Sequence, residues 1–520
     1  MINAVGRDIP EYLLKDGREV YQGRNYRDGQ LVKKATPTTV KHEKPQADKL
    51  CATIREACEK CGAHDGMTFS FHTEFRDGDY VAAMVCKVLV EEMGIKDLHV
   101  AATSLGTAQD IFADYMEQGI IVEAQTSGVR GRIGEAISGG KLKNPAIIRS
   151  HGGRPRAVEA GEVHIDIAFL AAASSDCCGN ASGKGGANNC GSMGFAMHDA
   201  KFADHTIIIT DTLKPFPNVP SSISCIDVDA VVVVDAIGDA SKIATKEARM
   251  TQDPRELMMA RNVANVIAAT PWFVDGFSFQ TGVGGPSLAV NRFLEDHMRK
   301  ANIKMSFALG GTSAAICALQ DKGFVEKILD TQDFDQVAAA HLFSNPGHIE
   351  IDLSEYANAG NKGAYVNKLD YVVLSALEID TKFNVNVITG SDGVLRGAPG
   401  GHPDTAAGSK CCIIVTPLTR GRMATVCKDV VTVTTPGDCV DVLVTDYGIA
   451  VNPARQDIIE CLDKAGIKHV TIESLQEKAY DLVGAPDPLQ WEDKVVAIVE
   501  ARDGTILDVV RQVKPFTYDE

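Results

Sequence analysis

Two glycine-rich segments of this 520-residue chain have the composition of loops that approach a ligand closely. The first is Gly282-Val283-Gly284-Gly285-Pro286-Ser287, which precedes a helical pattern. Glycine lets the backbone come close to a ligand, and the free amides at a helix start favour an anion or oxyanion. We therefore expect catalytic backbone amides at Gly282, Gly284 and Gly285. The alternative is a plain turn between a strand and a helix.

The second segment runs from Gly397 to Gly408 and holds four glycines and two prolines. Its backbone amides could bind a pyrophosphate or the thioester arm of a coenzyme. On this interpretation the coenzyme-binding residues are Gly400, Gly401, His402 and Asp404. The alternative is an irregular connection in which His402 is a structural histidine.

A polar cluster precedes another helical pattern, at the position where the first glycine segment has small residues. It contains His72, Glu74, Arg76 and Asp79. We expect His72, Glu74 and Arg76 to bind substrate, with Arg76 holding a carboxylate. The alternative is a buried ion pair that fixes the turn.

Two further groups of charged residues are candidates for chemistry. Glu378 and Asp380 end a strand pattern and could serve acid–base catalysis, although Asp380 recurs as Asp176, which favours a structural turn. Positive charge is concentrated between Val129 and Gly161, although the chain has 52 Lys and Arg against 69 Asp and Glu. There, Arg154 and Arg156 are predicted to bind coenzyme or carrier phosphates, and the alternative is a solvated surface. The basic residues are Arg130, Arg132, Lys141, Lys143, Arg149, Arg154 and Arg156.

An internal repeat indicates how these segments are positioned. Residues 72–96 align without a gap on residues 280–304. Asp166, Leu170, Asp176 and Asn180 recur with identical spacing as Asp370, Leu374, Asp380 and Asn384. A looser pair, 228–238 and 440–450, follows in the same order.

The repeat predicts a duplicated α/β domain with largely parallel sheets covered by helices. Short β-branched runs at Thr206–Thr210, Val228–Val234, Cys412–Val415 and Val430–Val433 alternate with helical patterns, which is typical of parallel sheets. The predicted ranges are an N-terminal arm at 1–45 and domains at 46–262 and 263–515, joined by a helix at 254–270. Ligands of such folds bind between domains, at the carboxyl ends of strands.

Composition excludes several classes of protein. The net charge of −17 argues against nucleic acid or an anionic membrane as the main partner. No apolar run reaches the roughly 18–20 residues of a membrane span, and the first 30 residues have no signal-peptide core. Fourteen cysteines in a chain of this length are typical of reduced thiols, so we expect a cytoplasmic protein. The histidines show no metal-ligand spacing, so no metal is predicted.

Several of these motifs together resemble the CoA-transferase superfamily and, within it, the alpha chains of bacterial citrate lyases. They are SFHTEFRDGD, the segment from Arg149 to Gly183, GAPGGHPDTAAGSK, PLTRGR and VTDYGIAVNPAR. The resemblance spans about residues 30–515. It implies two tandem domains of the NagB/RpiA-like α/β type.

The resemblance also implies an activity. In that family citrate displaces acetate from a thioester on an acyl carrier subunit, and a separate beta chain then cleaves the citryl group. The implied partners are this beta chain and the gamma, or acyl carrier, chain. The implied substrates are citrate and an acetylated phosphopantetheine-type prosthetic group, or acetyl-CoA in its place, with no covalently bound cofactor. An oligomer is expected.

One departure bears on mechanism. Many CoA-transferases use a glutamate nucleophile near the end of the strand that reads MSFALGGTS here, but no glutamate lies between Glu295 and Glu326. The resemblance implies instead that citrate attacks the thioester directly, through a mixed anhydride. The alternatives are an acyl-CoA hydrolase, a transferase for another carboxylate, or a non-catalytic scaffold subunit.

Overall fold

The N-terminal unit, Met1–Lys49, contains a short hairpin. The structure is a computed structural model, and it describes Met1 and residues 31–33, 39–243, 251–282 and 284–514, with the strands at 31–33 and 39–41 described by backbone alone. These two strands pair antiparallel, with Val32 opposite Val40. The rest of the predicted arm at 1–45, residues 2–30 and 34–38, lies outside the described residues.

Strands form at three of the four β-branched runs. The described strands are β1 (Leu31–Lys33), β2 (Thr39–Lys41), β3 (Leu50–Cys51), β4 (Thr68–Phe71), β5 (Leu98–Ala102), β6 (Ile121–Thr126), β7 (Ala146–Ile148), β8 (Ile167–Ala172), β9 (Ser174–Ser175), β10 (Ala181–Ser182), β11 (His205–Thr210), β12 (Ala230–Val233), β13 (Phe277–Thr281), β14 (Met305–Thr312), β15 (Val325–Asp333), β16 (His348–Glu350), β17 (Tyr371–Leu374), β18 (Glu378–Asp380), β19 (Val385–Asn386), β20 (Cys411–Val415), β21 (Thr419–Arg420), β22 (Met423–Ala424), β23 (Val426–Cys427), β24 (Val442–Val444), β25 (Ile449–Val451), β26 (Trp491–Glu500) and β27 (Ile506–Val513).

The strand predicted at Val430–Val433 is wrong, because this segment is irregular. Its amides donate to side chains instead of to a neighbouring strand. Val431 N–H donates to Glu378 Oε2 at 3.0 Å, and Val433 N–H donates to Asp508 Oδ2 at 2.8 Å. Carboxylates therefore satisfy the backbone that a β-ladder would otherwise pair.

Helices connect most of the strands. The helix predicted at 254–270 is present, and Thr270 ends it just before Pro271, as the restriction on residues before proline requires. A π-helical turn, Val88–Glu92, continues the second helix. The helices are α1 (Ile54–Lys60), α2 (Val81–Lys87), α3 (Ile111–Glu117), α4 (Gly131–Ser138), α5 (Gly153–Glu159), α6 (Gly194–Phe202), α7 (Pro254–Ala269), α8 (Gly285–Ala301), α9 (Ala314–Asp321), α10 (Gln336–Ser344), α11 (Leu353–Ala357), α12 (His402–Gly408), α13 (Gln456–Lys464) and α14 (Ile472–Val483).

Two large sheets have the same strand order. The first runs β27-β26-β7-β6-β5-β4-β8-β11-β12-β3, and the second runs β16-β15-β14-β13-β17-β20-β24-β25. Seven consecutive strands of the first, from β7 to β12, correspond in order to the seven from β16 to β24. All pairs among these strands are parallel. The predicted tandem α/β fold is confirmed.

Aspartates at strand starts repeat between the two sheets. Asp166 accepts the Thr68 amide at 2.7 Å, and Asp370 accepts the Ser278 amide at 2.8 Å. The third repeat contains a matching pair of aspartates, because Asp229 accepts the Thr206 amide and Asp441 accepts the Cys412 amide, at 2.9 and 2.7 Å. In each half these carboxylates fix the register of adjacent strands.

The turn after the central strand also repeats in detail. Asp176 accepts the Asn180 amide and side chain at 3.1 and 2.8 Å. Asp380 accepts the Asn384 amide and side chain at 2.9 and 3.0 Å. The structural role expected for Asp380 is therefore confirmed.

The predicted domain boundaries remain a prediction. Residues Leu50–Glu520 form one compact unit, within which each large sheet has its own apolar core. Helix α7 packs in the second core, and the hairpin of β26 and β27 joins the first sheet through β7. Among the described residues, no helix combines the length and apolarity that crossing a membrane requires.

Candidate functional site

A cleft of about 650 Å³ lies at the carboxyl ends of strands from both large sheets. The first half contributes the segments after β4 and β5, and the second half those after β13, β15 and β17. This is the position that parallel α/β sheets use for ligands. Seven of the predicted site residues line the cleft: Arg76, Gly282, Gly284, Gly285, Gly400, Gly401 and His402.

The start of α8 presents backbone to the cleft. Gly284 is the N-cap residue and Gly285 begins a helix of 17 residues. The first amides of a helix have no partner within it, and the helix dipole makes this end attractive to negative charge. A Cβ on Gly284 would lie 2.4 Å from Ser375 Oγ, so either Ser375 or the start of α8 would have to shift to admit a side chain.

The second glycine loop connects the two halves. Gly397 and Gly400 carbonyls accept the amides of Val129 and His151 at 3.0 and 2.8 Å. A Cβ on Gly401 would lie 2.3 Å from the Tyr356 hydroxyl oxygen, so a side chain here would have to displace the buried Tyr356 ring. The loop is therefore a fixed wall of the cleft.

His402 is held at both ring nitrogens. Nδ1 lies 2.7 Å from the Thr435 hydroxyl, and Nε2 lies 3.0 Å from the Ser375 carbonyl. Because a carbonyl can only accept, Nε2 carries the proton and donates. Burial lowers the pKa of His402 to about 4, so the ring is neutral near pH 7. It positions the segment that begins at Ser375.

Two arginines of the first half line the cleft. Arg76 has a positive φ of 53° and stacks over Phe334, with its guanidinium carbon 5.0 Å from the ring centroid. Arg130 is exposed, and among the described residues no carboxylate neutralises its guanidinium. An unneutralised cation in a cleft of an acidic protein is suited to an anionic ligand.

The other basic residues between Val129 and Gly161 are placed differently from Arg130. The four further arginines pair with carboxylates: Arg132 with Asp114, Arg149 with Glu500, Arg154 with Asp199, and Arg156 with Glu162. None of the four lines the cleft as the structure describes it. Coenzyme binding by Arg154 and Arg156 thus has no geometric support here.

Behind the cleft, His72 and Arg154 share one buried carboxylate. His72 Nε2 lies 2.9 Å from Asp199 Oδ2, and Arg154 binds Asp199 through two nitrogens at 2.5 and 2.7 Å. Although burial alone would raise it, Arg154 and His72 hold the pKa of Asp199 well below its usual range. His72 also contacts the Thr103 hydroxyl at 3.0 Å, and Thr103 lines the cleft.

His151 faces the cleft and carries no sequence signal of its own. Its ring contacts Phe195 edge-on, with centroids 4.8 Å apart. Burial, with the nearby Arg154 and His72, lowers the pKa of His151 to about 3. No described side chain hydrogen-bonds to its imidazole. A neutral imidazole of this kind can donate a hydrogen bond to a ligand at any physiological pH.

Three predicted carboxylates lie outside the cleft lining. Glu74 is buried, and burial together with Asp79 and Glu350 raises its pKa well above the usual range. Glu378 accepts the Asn386 amide group at 2.8 Å, besides the Val431 amide, and burial raises its pKa.

Asp404, the third of these carboxylates, connects the second glycine loop to the start of α5. It accepts the Ser150 hydroxyl at 2.8 Å and the Gly152 amide at 2.9 Å. Burial raises the pKa of Asp404 to about 6. These contacts explain why a carboxylate follows the loop without reaching the ligand space.

The strand that has a glutamate near its end in many transferases has two glycines just before its last residue here. Gly311 of β14 lines the cleft, and its Cβ would lie 2.0 Å from the Phe334 ring. In the part of the chain that the structure describes, the only carboxylates lining the cleft are Asp77 and Glu256. Burial lowers the pKa of Arg420, and the negative charge of Glu256 opposes this shift. Glu256 therefore lies near the positive charge of Arg420, which also lines the cleft.

The fold and cleft define a tandem CoA-transferase-like α/β protein. The family model described as "Citrate lyase, alpha subunit (CitF)" matches residues 47–513. The citrate lyase alpha chain of Escherichia coli (strain K12) is 52% identical over 476 residues, covering 92% of this chain and 93% of that protein. The chain of Klebsiella pneumoniae is 47% identical, covering 97% of each. The chain therefore belongs to the citrate lyase alpha subunit family.

Solved structures agree with this assignment. The citrate lyase alpha subunit of Streptococcus mutans, in complex with citrate, superimposes with a TM-score of 0.90 at 49% identity, covering 99% of this chain and all of that one. A Pseudomonas malonate decarboxylase hetero-tetramer, in complex with malonate, contains a chain with a TM-score of 0.64 at 15% identity. It covers 85% of this chain and 92% of that one, and at this identity it supports the fold alone.

Proposed function

We propose that this chain is the transferase subunit of a citrate lyase, which exchanges acetate for citrate on the thioester of an acyl carrier. The observation that carries this proposal is the cleft, where backbone amides of α8 from one half face Arg76, Arg130 and His151 from the other. Family membership supports the same assignment, and the Streptococcus mutans relative was solved with citrate.

The exchange needs no protein nucleophile. A citrate carboxylate oxygen attacks the acetyl thioester carbon, and the carbon–sulfur bond breaks to give a mixed anhydride and a thiolate. The thiolate then attacks the citryl carbonyl, and acetate leaves with the bridging oxygen. No net proton is gained or lost, so the protein must position two acyl groups and stabilise oxyanions.

The residues of the cleft divide these tasks. Arg130 and Arg76 bind carboxylates of citrate, because guanidinium groups pair with carboxylates in a bidentate geometry. The amides at Gly284 and Gly285 face developing oxyanions, and neutral His151 donates a further hydrogen bond. The wall formed by Gly400 and Gly401 receives the thioester arm.

Partners and substrates follow from the same proposal. The acyl group would arrive on a phosphopantetheine-type prosthetic group of a gamma chain, or on acetyl-CoA in its place. A beta chain would consume the citryl thioester. All fourteen cysteines are free, as expected of an assembly in the reducing cytoplasm.

The acceptor specificity separates this proposal from its rivals. Purified chain with acetyl-CoA should release acetate only when citrate is added. Acetate release with water alone would indicate a hydrolase, and preference for succinate or butyrate would indicate another transferase. No exchange under any condition would indicate a scaffold subunit.

The charged side of the cleft is tested by paired variants. Removing a charge-assisted hydrogen bond costs about 1.5–3 kcal/mol, so Arg130→Ala and Arg76→Ala should each raise the KM for citrate roughly tenfold or more. The KM for acetyl-CoA should stay within about twofold. Arg132→Ala is the matched control, because Arg132 pairs with Asp114 at the surface. An unchanged citrate dependence in both cleft variants would exclude these two roles.

A further inference from the structure

Three buried side chains behind the cleft converge on one point. Asp330 and Asp333 belong to β15, and His348 belongs to the neighbouring β16. Each is less than one-tenth exposed. One ligand atom from each lies within 4.8 Å of the other two. His348 Nε2 and Asp330 Oδ2 are 3.4 Å apart. The three residues are hereafter called the Asp–Asp–His cluster.

Each carboxylate in the cluster has one oxygen held and one oxygen available. Asp330 Oδ1 accepts the Gln332 amide at 3.1 Å, and Asp333 Oδ2 accepts the Ser192 amide at 2.9 Å. The second oxygens, Asp330 Oδ2 and Asp333 Oδ1, accept no hydrogen bond from any described amide, hydroxyl or amine, and the two carboxyl groups lie close enough to interact with each other. Backbone amides therefore orient both side chains while leaving one acceptor on each, as in the outer shell of metal sites.

A chain of hydrogen bonds sets the tautomer of His348. His341 Nε2 lies 3.2 Å from Asp321 Oδ1, and a carboxylate can only accept, so this nitrogen is protonated. The amide nitrogen of Asn345 is also 3.3 Å from it, but the charged contact is the stronger one. His341 Nδ1 then accepts from His348 Nδ1 at 3.0 Å. His348 Nε2 is left with a bare lone pair, and no described donor reaches it.

Two carboxyl groups and one imidazole therefore face one another, with His348 Nε2 3.4 Å from Asp330 Oδ2. Apart from His348, no described basic residue forms an ion pair with Asp330 or Asp333, and burying two carboxylates together is costly without a cation. A divalent cation would neutralise both carboxylates at once.

We propose that the Asp–Asp–His cluster binds one divalent first-row transition-metal ion, of the Zn²⁺ or Mn²⁺ class. Two oxygens and one imidazole nitrogen are a ligand set that such ions accept. Two ligand atoms that each lie about 2.1 Å from an ion, on opposite sides of it, are roughly 4.2 Å apart. The three ligand atoms of the cluster, which lie within 4.8 Å of one another, would therefore move only slightly to bind an ion. The nearby Cys317 is a poorer ligand, because burial raises the pKa of its thiol.

The position of the cluster suggests a structural role for the ion. Thr331 and Gln332, between the two aspartates, line the cleft. Asp333 holds the amide of Ser192, which belongs to the first half of the chain. The ion would fix the end of β15 as a cleft wall and fasten the two halves together at this point.

Metal content tests the proposal on the full chain, stripped with a chelator and then titrated with Zn²⁺ or Mn²⁺. We expect one equivalent bound per chain and a rise in the melting temperature of a few degrees. Asp330→Asn and His348→Gln should each weaken binding about 10- to 100-fold. The control is Asp204→Asn, in the partly exposed group of His164, Asp166 and Asp204, and it should bind as the unmodified chain does.

The opposite results are equally specific. No binding by the unmodified chain, or loss of binding in Asp204→Asn with retention in Asp330→Asn, would overturn the proposal. If the two cluster variants fail to fold, the chelated unmodified chain decides, since an unchanged melting temperature on adding either ion also overturns it. If Asp333→Asn stabilises the metal-free protein and the unmodified chain binds no metal, the proposal is also overturned. Asp330 and Asp333 would then share a proton instead of binding an ion.

Discussion

The two halves of the chain share a scaffold but present opposite chemistry to the cleft. After β4 the first half places the side chain of Arg76, and after β13 the second half places the bare backbone of Gly284 at the aligned position. The aspartates that fix the strands are the same in both. Duplication therefore preserved what sets strand register, and the cleft-facing turns became different, one cationic and one rich in amides.

The largest expected effect removes a side chain of the first half. His151→Ala should lower kcat about 10²- to 10³-fold, the usual cost of losing one oxyanion donor. Because the pKa of His151 lies near 3, the shape of the pH–rate profile between pH 6 and 9 should not change. His64→Ala, at an exposed histidine, should retain full activity. If the pH–rate profile of the unmodified chain had a sloping limb that His151→Ala removed, His151 would instead act as a general base.

The shared scaffold is tested by breaking the same turn in each half. Asp176→Ala and Asp380→Ala should each lower the free energy of unfolding by about 3 kcal/mol, through lost charge-assisted hydrogen bonds. Asp176→Ala should cost more, because Asp176 also accepts the Asn218 amide. Urea unfolding measures both, with exposed Asp487→Ala as the control. If only one of the two variants lowered the free energy of unfolding by a large amount, Asp176 and Asp380 would not have equivalent roles.

The pH dependence of stability should include a large contribution from Asp79, in the first half. Burial raises the pKa of Asp79 to about 7. Between the unfolded value near 4 and this pKa the folded state binds the extra proton, so stability is lost as pH rises through that range. Between pH 5 and 8 the free energy of unfolding of the Asp79→Asn variant should therefore fall by about 2 kcal/mol less than that of the unmodified chain. Melting temperatures across this range measure it, and Asp77→Asn, at the exposed neighbour, should leave the slope unchanged.

The smallest expected effect concerns the backbone of the second half. Gly284→Ala should lower kcat roughly tenfold, because a Cβ 2.4 Å from Ser375 Oγ displaces the start of α8. Gly282→Ala should stay within about threefold, because its nearest contact, the Val373 carbonyl oxygen, would be 3.6 Å away. Equal effects at the two positions would mean that the side chain of Ser375 moves aside without shifting the helix.

Much of the fold was predictable because it is repeated. The spacing of Asp166, Asp176 and their counterparts is visible in the sequence. Asp166 accepts a backbone amide of the neighbouring strand, and Asp176 accepts backbone amides of its own turn. The glycine loops were equally visible, because close approach needs glycine. Val430–Val433 looked like a strand, since nothing local shows that Glu378 and Asp508 would take up its amides.

The chemistry around the cleft was less visible for a physical reason. His151 stands in a run of arginines, and only the folded structure shows that four of those arginines are neutralised while Arg130 is not. Asp330 and His348 meet because β15 and β16 pair in one register, and a shift of one residue would turn either side chain away. Such constellations depend on long-range pairing, which a single sequence does not show.

The hairpin of β26 and β27 has a consequence for how the molecule can be divided. The chain completes the second sheet and then returns to add β26 and β27 to the edge of the first sheet. The second half of the chain is therefore a long insertion within the first half. Cutting the chain before Trp491 would uncover the edge of β7, and an open edge strand invites aggregation. A fragment carrying only the first half would therefore need this hairpin grafted back to avoid aggregation.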